Sequence, residues 1–181
     1  MVTKEDVLDQ ERMDAVLRKR AKKLSLEFLK ESSVGEDLLE IVEFRLGPER
    51  YGVASLHVGE VIPLRERAII PCTPPFVAGI INLRGRIVSL IDLKFFFDIP
   101  ATEISEETRV VVLRSGEMEL GILADALVGI RMISLRNVHP PLPTMAGVRS
   151  AYLLGVEGED TALLDGGKIL RDESLVVDEE V

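Results

Sequence analysis

The sequence predicts a mainly β protein that consists of two related β lobes and begins with one long helix. Three observations lead to this fold class. Ten short segments rich in Val, Ile and Leu lie between residues 39 and 164 and are separated by turn residues, which is typical of a β sandwich or barrel. Helical periodicity is strong only near the N-terminus. A motif of the strand region also recurs at a constant offset of 69 residues.

The N-terminal segment, residues 4–30, has the pattern of an amphipathic helix. One face is apolar: Met13, Leu17, Ala21, Leu24 and Phe28. A basic cluster within residues 18–23 borders this face, and residues 32–35 (SSVG) have the composition of a helix stop and linker. Residues 1–36 are therefore a predicted helical extension. It could pack on its own body, dock or dimerise, or act as a mobile arm near acidic surfaces.

The strand region begins near Leu38. Predicted strands cover residues 39–46, 51–56, 58–63, 79–83, 86–91, 109–114, 118–123, 127–132, 152–156 and 161–164. Asp92 and Asp165 each follow a strand and can cap a short helical piece. Residues 73–76 fit a short helix or turn, and the proline-rich residues 137–150 fit an extended connection. Residues 176–181 form a predicted acidic tail.

The repeat aligns residues 45–53 (RLGPERYGV) with residues 114–122 (RSGEMELGI). The same offset pairs Val58 with Leu127 and Val61 with Ile130. A looser match places residues 79–92 beside residues 155–165. The alternative is chance recurrence of glycine and aliphatic patterns. A true duplication predicts two β lobes with a groove between them, which is a common place for a binding site.

Composition and charge exclude several classes of protein. The net charge is −9, but residues 1–30 carry +2 and residues 31–181 carry −11, so the body lacks the basic face that general nucleic-acid binding requires. A polyanion binder acting through residues 18–23 is the corresponding alternative. Cys72 is the only cysteine, which fits a reducing compartment, and the N-terminus resembles no secretory signal. We expect a cytoplasmic protein without membrane insertion.

Catalytic and metal-binding patterns are missing from the sequence. His57 and His139 are far apart and lack the spacing of metal ligands, so no metal site or cofactor is predicted. No nucleophile motif surrounds Cys72. An enzyme using Cys72 or the pair Asp92 and Asp165 is the remaining alternative, and capping is the simpler role for each Asp. We therefore expect a binding module, without catalytic residues.

The most informative segment is Val77–Leu93 (VAGIINLRGRIVSLIDL), an apolar stretch interrupted once. β-Branched runs lie on both sides of residues 82–85 (NLRG), which predicts a buried hairpin with Asn82 and Arg84 at or near its turn. Gly85 suits this turn because glycine readily adopts a positive φ. An arginine in such a segment either pairs within its own domain or contacts a partner, and the two roles are compatible.

These motifs together resemble the CheW family, the coupling proteins of bacterial chemotaxis. The resemblance spans Leu38 to Leu175 and rests on a series of segments in order: FRLGPERYGV, VGEVI, the P-x-x-V-A-G-I-I-N-L-R-G-R-I-V-S-L-I-D-L segment, GILADALVGI, YLLGV, and a strand ending at Asp165. It implies two small SH3-like, five-stranded β-barrel lobes within a CheW-like domain at residues 37–175. It also implies a scaffold that works by binding and is not an enzyme.

The resemblance further implies partners and contact residues. CheW-like proteins link the cytoplasmic tips of methyl-accepting chemoreceptors to the regulatory domain of the histidine kinase CheA, and they also meet other CheW-like proteins in arrays at the inner face of the membrane. Receptor contact is implied for Arg84, Asn82, Val58 and Glu60, with Gly79 where backbones pack closely. Kinase-contacting residues are not assigned. An adaptor for a pilus-motility or developmental signalling array is the alternative.

Overall fold

The computed structural model describes residues 37–141, 148–158 and 160–175. The chain divides into two compact units between Asp37 and Leu38, and the second unit, Leu38–Val181, contains all the strands described below. The predicted N-terminal helix, its linker and the acidic tail at residues 176–181 lie outside the described residues.

All ten predicted strands are present, each within two residues of its predicted bounds. The strands are β1 (Leu38–Leu46), β2 (Glu49–Ala54), β3 (Val58–Pro63), β4 (Val77–Leu83), β5 (Arg86–Ile91), β6 (Arg109–Ser115), β7 (Met118–Ala124), β8 (Ala126–Ser134), β9 (Val138–His139), β10 (Leu153–Glu157) and β11 (Thr161–Leu164). The sequence did not predict β9, because two residues are too few to show a period.

The helical elements are short, and two of them follow the predicted capping residues Asp92 and Asp165. Asp165 Oδ1 accepts a hydrogen bond from Lys168 N at 2.9 Å and caps the second helix, while Asp92 Oδ1 accepts one from Lys94 N at 3.0 Å. The two helices are α1 (Val148–Ala151) and α2 (Gly166–Arg171), and Asp92 precedes a 3₁₀ turn at Leu93–Phe95. Residues 73–76 form a turn, not a helix.

The two halves of the sequence exchange strands between two sheets. Sheet 1 has the order β8-β1-β2-β11-β10-β9, and sheet 2 has the order β3-β6-β7-β5-β4. Neighbouring strands are antiparallel except for two parallel pairs, β2 with β11 and β5 with β7. Each sheet therefore combines strands from both halves. Among the described residues no pairing closes either sheet into a barrel, and β9 makes sheet 1 six-stranded where five strands were predicted.

The register of the strands supports a duplication and argues against chance recurrence. Gly52 lies opposite Leu163 in sheet 1, and Gly121, at the predicted offset of 69 residues from Gly52, lies opposite Leu90 in sheet 2. The irregularities also correspond. A bulge interrupts β3 between Val58 and Glu60, and another interrupts the pairing of β1 with β8 at the matching place. A recurrence due only to common strand composition would not reproduce the bulges.

The main core lies between the two sheets. Its fully buried members come from both halves and include Phe44, Tyr51 and Leu164 of sheet 1 and Leu113 and Ile122 of sheet 2. At about 25 cal/mol per Å² of buried apolar surface, these large side chains supply the principal stabilisation of the sheet packing. The prediction of a mainly β protein is thus confirmed, and its strands form two sheets.

A buried charge pair and the hydrogen bonds around it hold three loops together. The Lys94 side chain is 2% exposed, and its Nζ lies 2.7 Å from Asp125 Oδ1 and 3.5 Å from Asp92 Oδ1. Burial would raise the pKa of Asp125, but hydrogen bonds from Lys94, Thr102 and the Gly47 amide, together with the Lys94 charge, hold that pKa below its ordinary value. The pair joins the 3₁₀ turn after β5 to the corner between β7 and β8, and the Gly47 amide, which donates to Asp125 Oδ2, adds the turn after β1.

The faces of the two sheets that point away from the main core differ in chemistry. In sheet 2 this face carries a purely apolar cluster: Ile81, Leu83, Val88, Leu90, Val110 and Val112. In sheet 1 the apolar part is smaller, with Ile41, Ile133 and Leu163, and a network of charged and polar side chains occupies the rest.

Glu43 is the centre of this network and is 3% exposed. Arg131 Nε donates to Glu43 Oε2 at 2.8 Å and Arg131 Nη2 donates to Glu157 Oε2 at 2.7 Å, while Thr161 Oγ1 donates to Glu43 Oε1 at 3.0 Å. Burial would raise the pKa of Glu43, but the hydrogen bonds from Arg131 and Thr161 and the charges of Arg131 and Arg50 outweigh it, so the pKa is lowered.

The repeat tells which residues of sheet 2 correspond to this network. By the offset and the matching strand registers, the counterparts of Glu43, Arg131, Glu157 and Thr161 are Val112, Ile62, Ile81 and Val88. Sheet 1 therefore has hydrogen-bonded polar groups at four positions where sheet 2 has aliphatic side chains.

We predict that Arg131→Ile alone lowers the free energy of unfolding by about 3 kcal/mol, because it leaves Glu43 buried without its main partner. The quadruple variant Glu43→Val, Arg131→Ile, Glu157→Ile and Thr161→Val should recover at least most of this loss, since no buried charge remains. Urea unfolding measures both. A quadruple variant no more stable than the single one would contradict the assigned correspondence.

We also predict that the free energy of unfolding falls in acid because of Glu43. Because the folded-state pKa of Glu43 lies below its ordinary value of 4.5, the ionised carboxylate stabilises the fold above that pH, and the contribution is lost as the pH falls through the folded-state pKa. Unfolding free energies measured between pH 7 and pH 3 should therefore fall more steeply for the wild type than for the quadruple variant. Parallel curves would show that Glu43 is not the group responsible.

Candidate functional site

Two surface grooves contain four of the five residues that the resemblance implied for receptor contact. The hairpin groove, about 970 Å³ in volume, lies between residues 62–68 and the β4–β5 hairpin, and Asn82 and Arg84 line it. The intersheet groove, about 430 Å³, lies between β1 and β8 of sheet 1 and β3 of sheet 2, and Val58 lines it. Glu60 lines both grooves. Four of the five predicted residues therefore lie in two adjoining grooves, with Glu60 lining both.

The β4–β5 turn presents Arg84 to solvent. Leu83 pairs with Arg86, so Arg84 and Gly85 form a two-residue turn, and both have positive φ, 53° and 87°. This backbone is the one that tight hairpins favour. Asn82 Oδ1 accepts a hydrogen bond from the Gly85 amide at 2.8 Å, which ties the turn to the end of β4. The predicted hairpin is thus present, and Asn82 has a structural role in it, but residues 84–87 at its turn are exposed and not buried as predicted.

Arg84 pairs within its own domain, which is the first of the two roles that the sequence left open. Its Nη2 donates to Glu60 Oε2 at 3.1 Å, yet its side chain is 77% exposed while that of Glu60 is 22% exposed. Arg86 also lies 3.9 Å from Glu60 and bonds to Glu119. An ion pair so open to water contributes little to stability, and the other guanidinium N–H groups of Arg84 remain available to a partner.

Gly79 lies in neither groove and has a packing role. Its φ is +130°, and a Cβ at this position would overlap the carbonyl oxygen of Ala68. Ala68 and Ile80 exchange two backbone hydrogen bonds of 2.9 Å, so the chain before β4 pairs with β4 at this point. Gly79 therefore lets the segment that forms one wall of the hairpin groove approach the sheet.

The intersheet groove is apolar, and most of its lining was not singled out from the sequence. Besides Val58, its apolar residues are Val42, Leu56, Val61, Leu127 and Ile130. Leu56 is 67% exposed and Ile130 is 65% exposed, so the groove presents large aliphatic side chains to solvent. The repeat contained a signal for three of these residues, because it pairs Val58 with Leu127 and Val61 with Ile130.

Two of the three groups considered for an enzyme have a structural role. Asp92 and Asp165 serve as helix caps, each bonded to a backbone amide. Cys72 is exposed. Within residues 37–141, 148–158 and 160–175, no three His, Cys, Asp or Glu side chains come together as a metal site. No helix among these same residues is long and apolar enough to cross a membrane.

Comparison with known proteins gives a consistent result. The family model described as "CheW-like domain" matches residues 40–174. "Chemotaxis protein CheW" of Klebsiella aerogenes is 32% identical over 145 residues, covering 78% of this chain and 87% of that protein. "Chemotaxis protein CheW" of Treponema pallidum is 29% identical over 136 residues, covering 73% and 80%. "Protein FrzA" of Myxococcus xanthus is 34% identical over 113 residues, covering 62% and 70%.

A solved structure is also similar. The crystal structure of the scaffolding protein TtCheW from Thermoanaerobacter tengcongensis superimposes with a TM-score of 0.64 at 30% identity, covering 70% of this chain and 84% of that chain.

We predict that Gly79→Ala destabilises the fold by about 2 kcal/mol more than Gly85→Ala, since both positions have a positive φ but only Gly79 would also overlap a neighbouring carbonyl. Around Gly85 no atom lies close enough to meet a Cβ, which makes it the matched control for backbone strain. Thermal and urea unfolding of the two variants measure the difference. Equal losses would show that Ala68 can move aside.

Proposed function

The chain belongs to the CheW-like family of chemotaxis scaffold proteins, and we propose that it links the cytoplasmic tips of methyl-accepting chemoreceptors to the regulatory domain of the histidine kinase CheA. It is a chemotaxis adaptor. It acts by holding protein partners together, without chemistry of its own. The observation that carries the proposal is the intersheet groove, which two sheets line with exposed aliphatic side chains in a chain of this family.

The receptor is expected in the intersheet groove. A chemoreceptor tip is a helical hairpin, and an amphipathic helix binds by laying its apolar face into an apolar groove. Val58, Leu127 and Ile130 project from both walls and supply that surface. Burying these aliphatic side chains on docking would provide the main driving force.

Arg84 would supply the polar contact at the edge of the site. Its exposed guanidinium can bond a carboxylate or a helix carbonyl of the receptor in a bidentate manner. Glu60, between the two grooves, orients Arg84 in the unbound protein. In this proposal Val58 contacts the receptor directly, and Arg84 fixes the orientation of the bound receptor helix. Asn82 and Gly79 position the backbone around the site.

The remaining features of the proposal follow from the family. The kinase regulatory domain and other CheW-like proteins would bind at surfaces outside the intersheet groove, in an array at the cytoplasmic face of the inner membrane. We also propose that residues 37–175 form the CheW-like domain, that its two sheets belong to SH3-like barrels, and that residues 1–36 are a helical extension. The similarity to Protein FrzA is compatible with an adaptor for a related motility or developmental array.

We predict that Val58→Asp weakens binding of a receptor-tip fragment by more than about tenfold, because it places a charge where an apolar helix face must pack. Arg84→Glu should weaken the same binding by about tenfold through loss of its hydrogen bonds and like-charge repulsion. Titration calorimetry with the fragment, and kinase activation in a reconstituted array, measure the two effects.

The matched control is Arg45→Glu, an equal charge change at an exposed residue of β1 that lines neither groove. It should bind like the wild type. If Val58→Asp and Arg84→Glu also bind and activate like the wild type, while remaining folded, the receptor site lies elsewhere.

A further inference from the structure

The intersheet groove has an unusual charge distribution for so apolar a surface. Its charged lining residues are Glu40 and Glu60, and none of its described lining residues is a lysine, arginine or histidine. A groove intended only for an apolar helix face would not need an acidic residue on its lining. The two carboxylates also differ from each other in what they bind.

The negative charge of Glu60 is already paired with arginines within the protein. Arg84 lies 3.1 Å from one of its carboxylate oxygens and Arg86 lies 3.9 Å from the other. A docked helix therefore need not bring a positive charge to Glu60.

Glu40 is not matched. It is exposed on β1, and it has no hydrogen bond or ion pair with any residue in the described part of the chain. Glu40 and Val42 lie on one face of β1. The cross-strand neighbour of Glu40 on β8 is Met132, which is 53% exposed. Arg131, the adjacent cation on β8, bonds to Glu43 and Glu157 on the opposite face of the sheet.

We propose that Glu40 is a specificity-determining residue of the groove and that the bound helix carries one lysine or arginine beside its apolar face, opposite Glu40. This inference rests on the proposed function and names the chemistry of its partner. An apolar helix with a neutral or acidic flank would cover Glu40 and leave its charge unpaired. The same helix with a cation at that place would form an ion pair with Glu40, so the charge of Glu40 would not be left unpaired.

The surroundings of Glu40 favour such discrimination. Leu38 is 47% exposed and Met132 is 53% exposed, so large apolar side chains neighbour Glu40 along β1 and across on β8. A docked helix would exclude water from these groups, and the lower local dielectric would strengthen both attraction to a cation and repulsion of an anion.

The test uses the full chain and a soluble hairpin fragment of a chemoreceptor tip encoded in the same genome. Binding is measured for the wild type, Glu40→Gln and Glu40→Lys, and for fragments in which each tip lysine or arginine is changed singly to glutamate. Glu103→Lys, an equal charge change on an exposed loop outside the groove, controls for long-range electrostatics. Val58→Asp controls for use of the groove.

We expect Glu40→Lys to weaken binding by about fivefold or more, the upper range for a partly exposed ion pair, and Glu40→Gln to weaken it less. One charge-reversed fragment should lose affinity for the wild type and regain it with Glu40→Lys. If Val58→Asp abolishes binding but Glu40→Lys behaves like Glu103→Lys, or no fragment is rescued, the role of Glu40 is wrong and the proposed function stands.

Two further outcomes would contradict the receptor helix as the occupant of the groove. If the fragment does not bind the wild type, or if Val58→Asp has no effect, the groove is not the receptor site and both proposals fail. If Glu40→Lys changes self-association in sedimentation experiments but not fragment binding, the occupant of the groove is a second copy of this chain, and the inference about the receptor helix is wrong.

Discussion

The pairing of β3 and β8 with strands from the opposite half of the sequence is the constraint on which the rest of the structure depends. β3 joins β6 in sheet 2, and β8 joins β1 in sheet 1, with the parallel pairs β2–β11 and β5–β7 completing each sheet. Backbone amides and carbonyls at a sheet edge require partners. Because each half supplies the partners for the other, neither half can form its sheet alone, and the main core closes only when both sheets are present.

The intersheet groove is a direct consequence of this exchange. The chain leaves sheet 1 after β2 and enters sheet 2 as β3, so β3 lies beside the β1–β8 edge without being hydrogen-bonded to it. Equivalent residues of the duplication, Val58 with Leu127 and Val61 with Ile130, thereby line one groove. A binding surface assembled at the junction of two sheets can present aliphatic groups to solvent, since no neighbouring strand covers them.

The duplication is symmetrical in its backbone and asymmetrical in its chemistry. One sheet carries the apolar cluster of Ile81, Val88 and Val112, and the other has Glu157, Thr161 and Glu43 at the same positions, bonded to Arg131. A satisfied polar network is compatible with a buried face, but each member depends on the others. A similar contrast exists within the groove, where Glu60 is matched by arginines and Glu40 has no partner among the described residues.

The sequence by itself determined the elements whose signals are local. The strands rich in Val, Ile and Leu, the turn within residues 82–85 and the Asp92 and Asp165 caps are readable from neighbouring residues, and the structure places strands, turn and caps as expected. The offset of 69 residues and the family resemblance come from comparing segments of the sequence and need no structure. Only the tertiary structure decided which strands pair, and hence that Arg84 bonds Glu60, that Arg131 reaches Glu43 across 88 residues of sequence, and that the predicted receptor residues divide between two grooves. The reason is physical: strand type and turn geometry depend on adjacent side chains, whereas strand exchange and ion pairing depend on groups brought together only by folding.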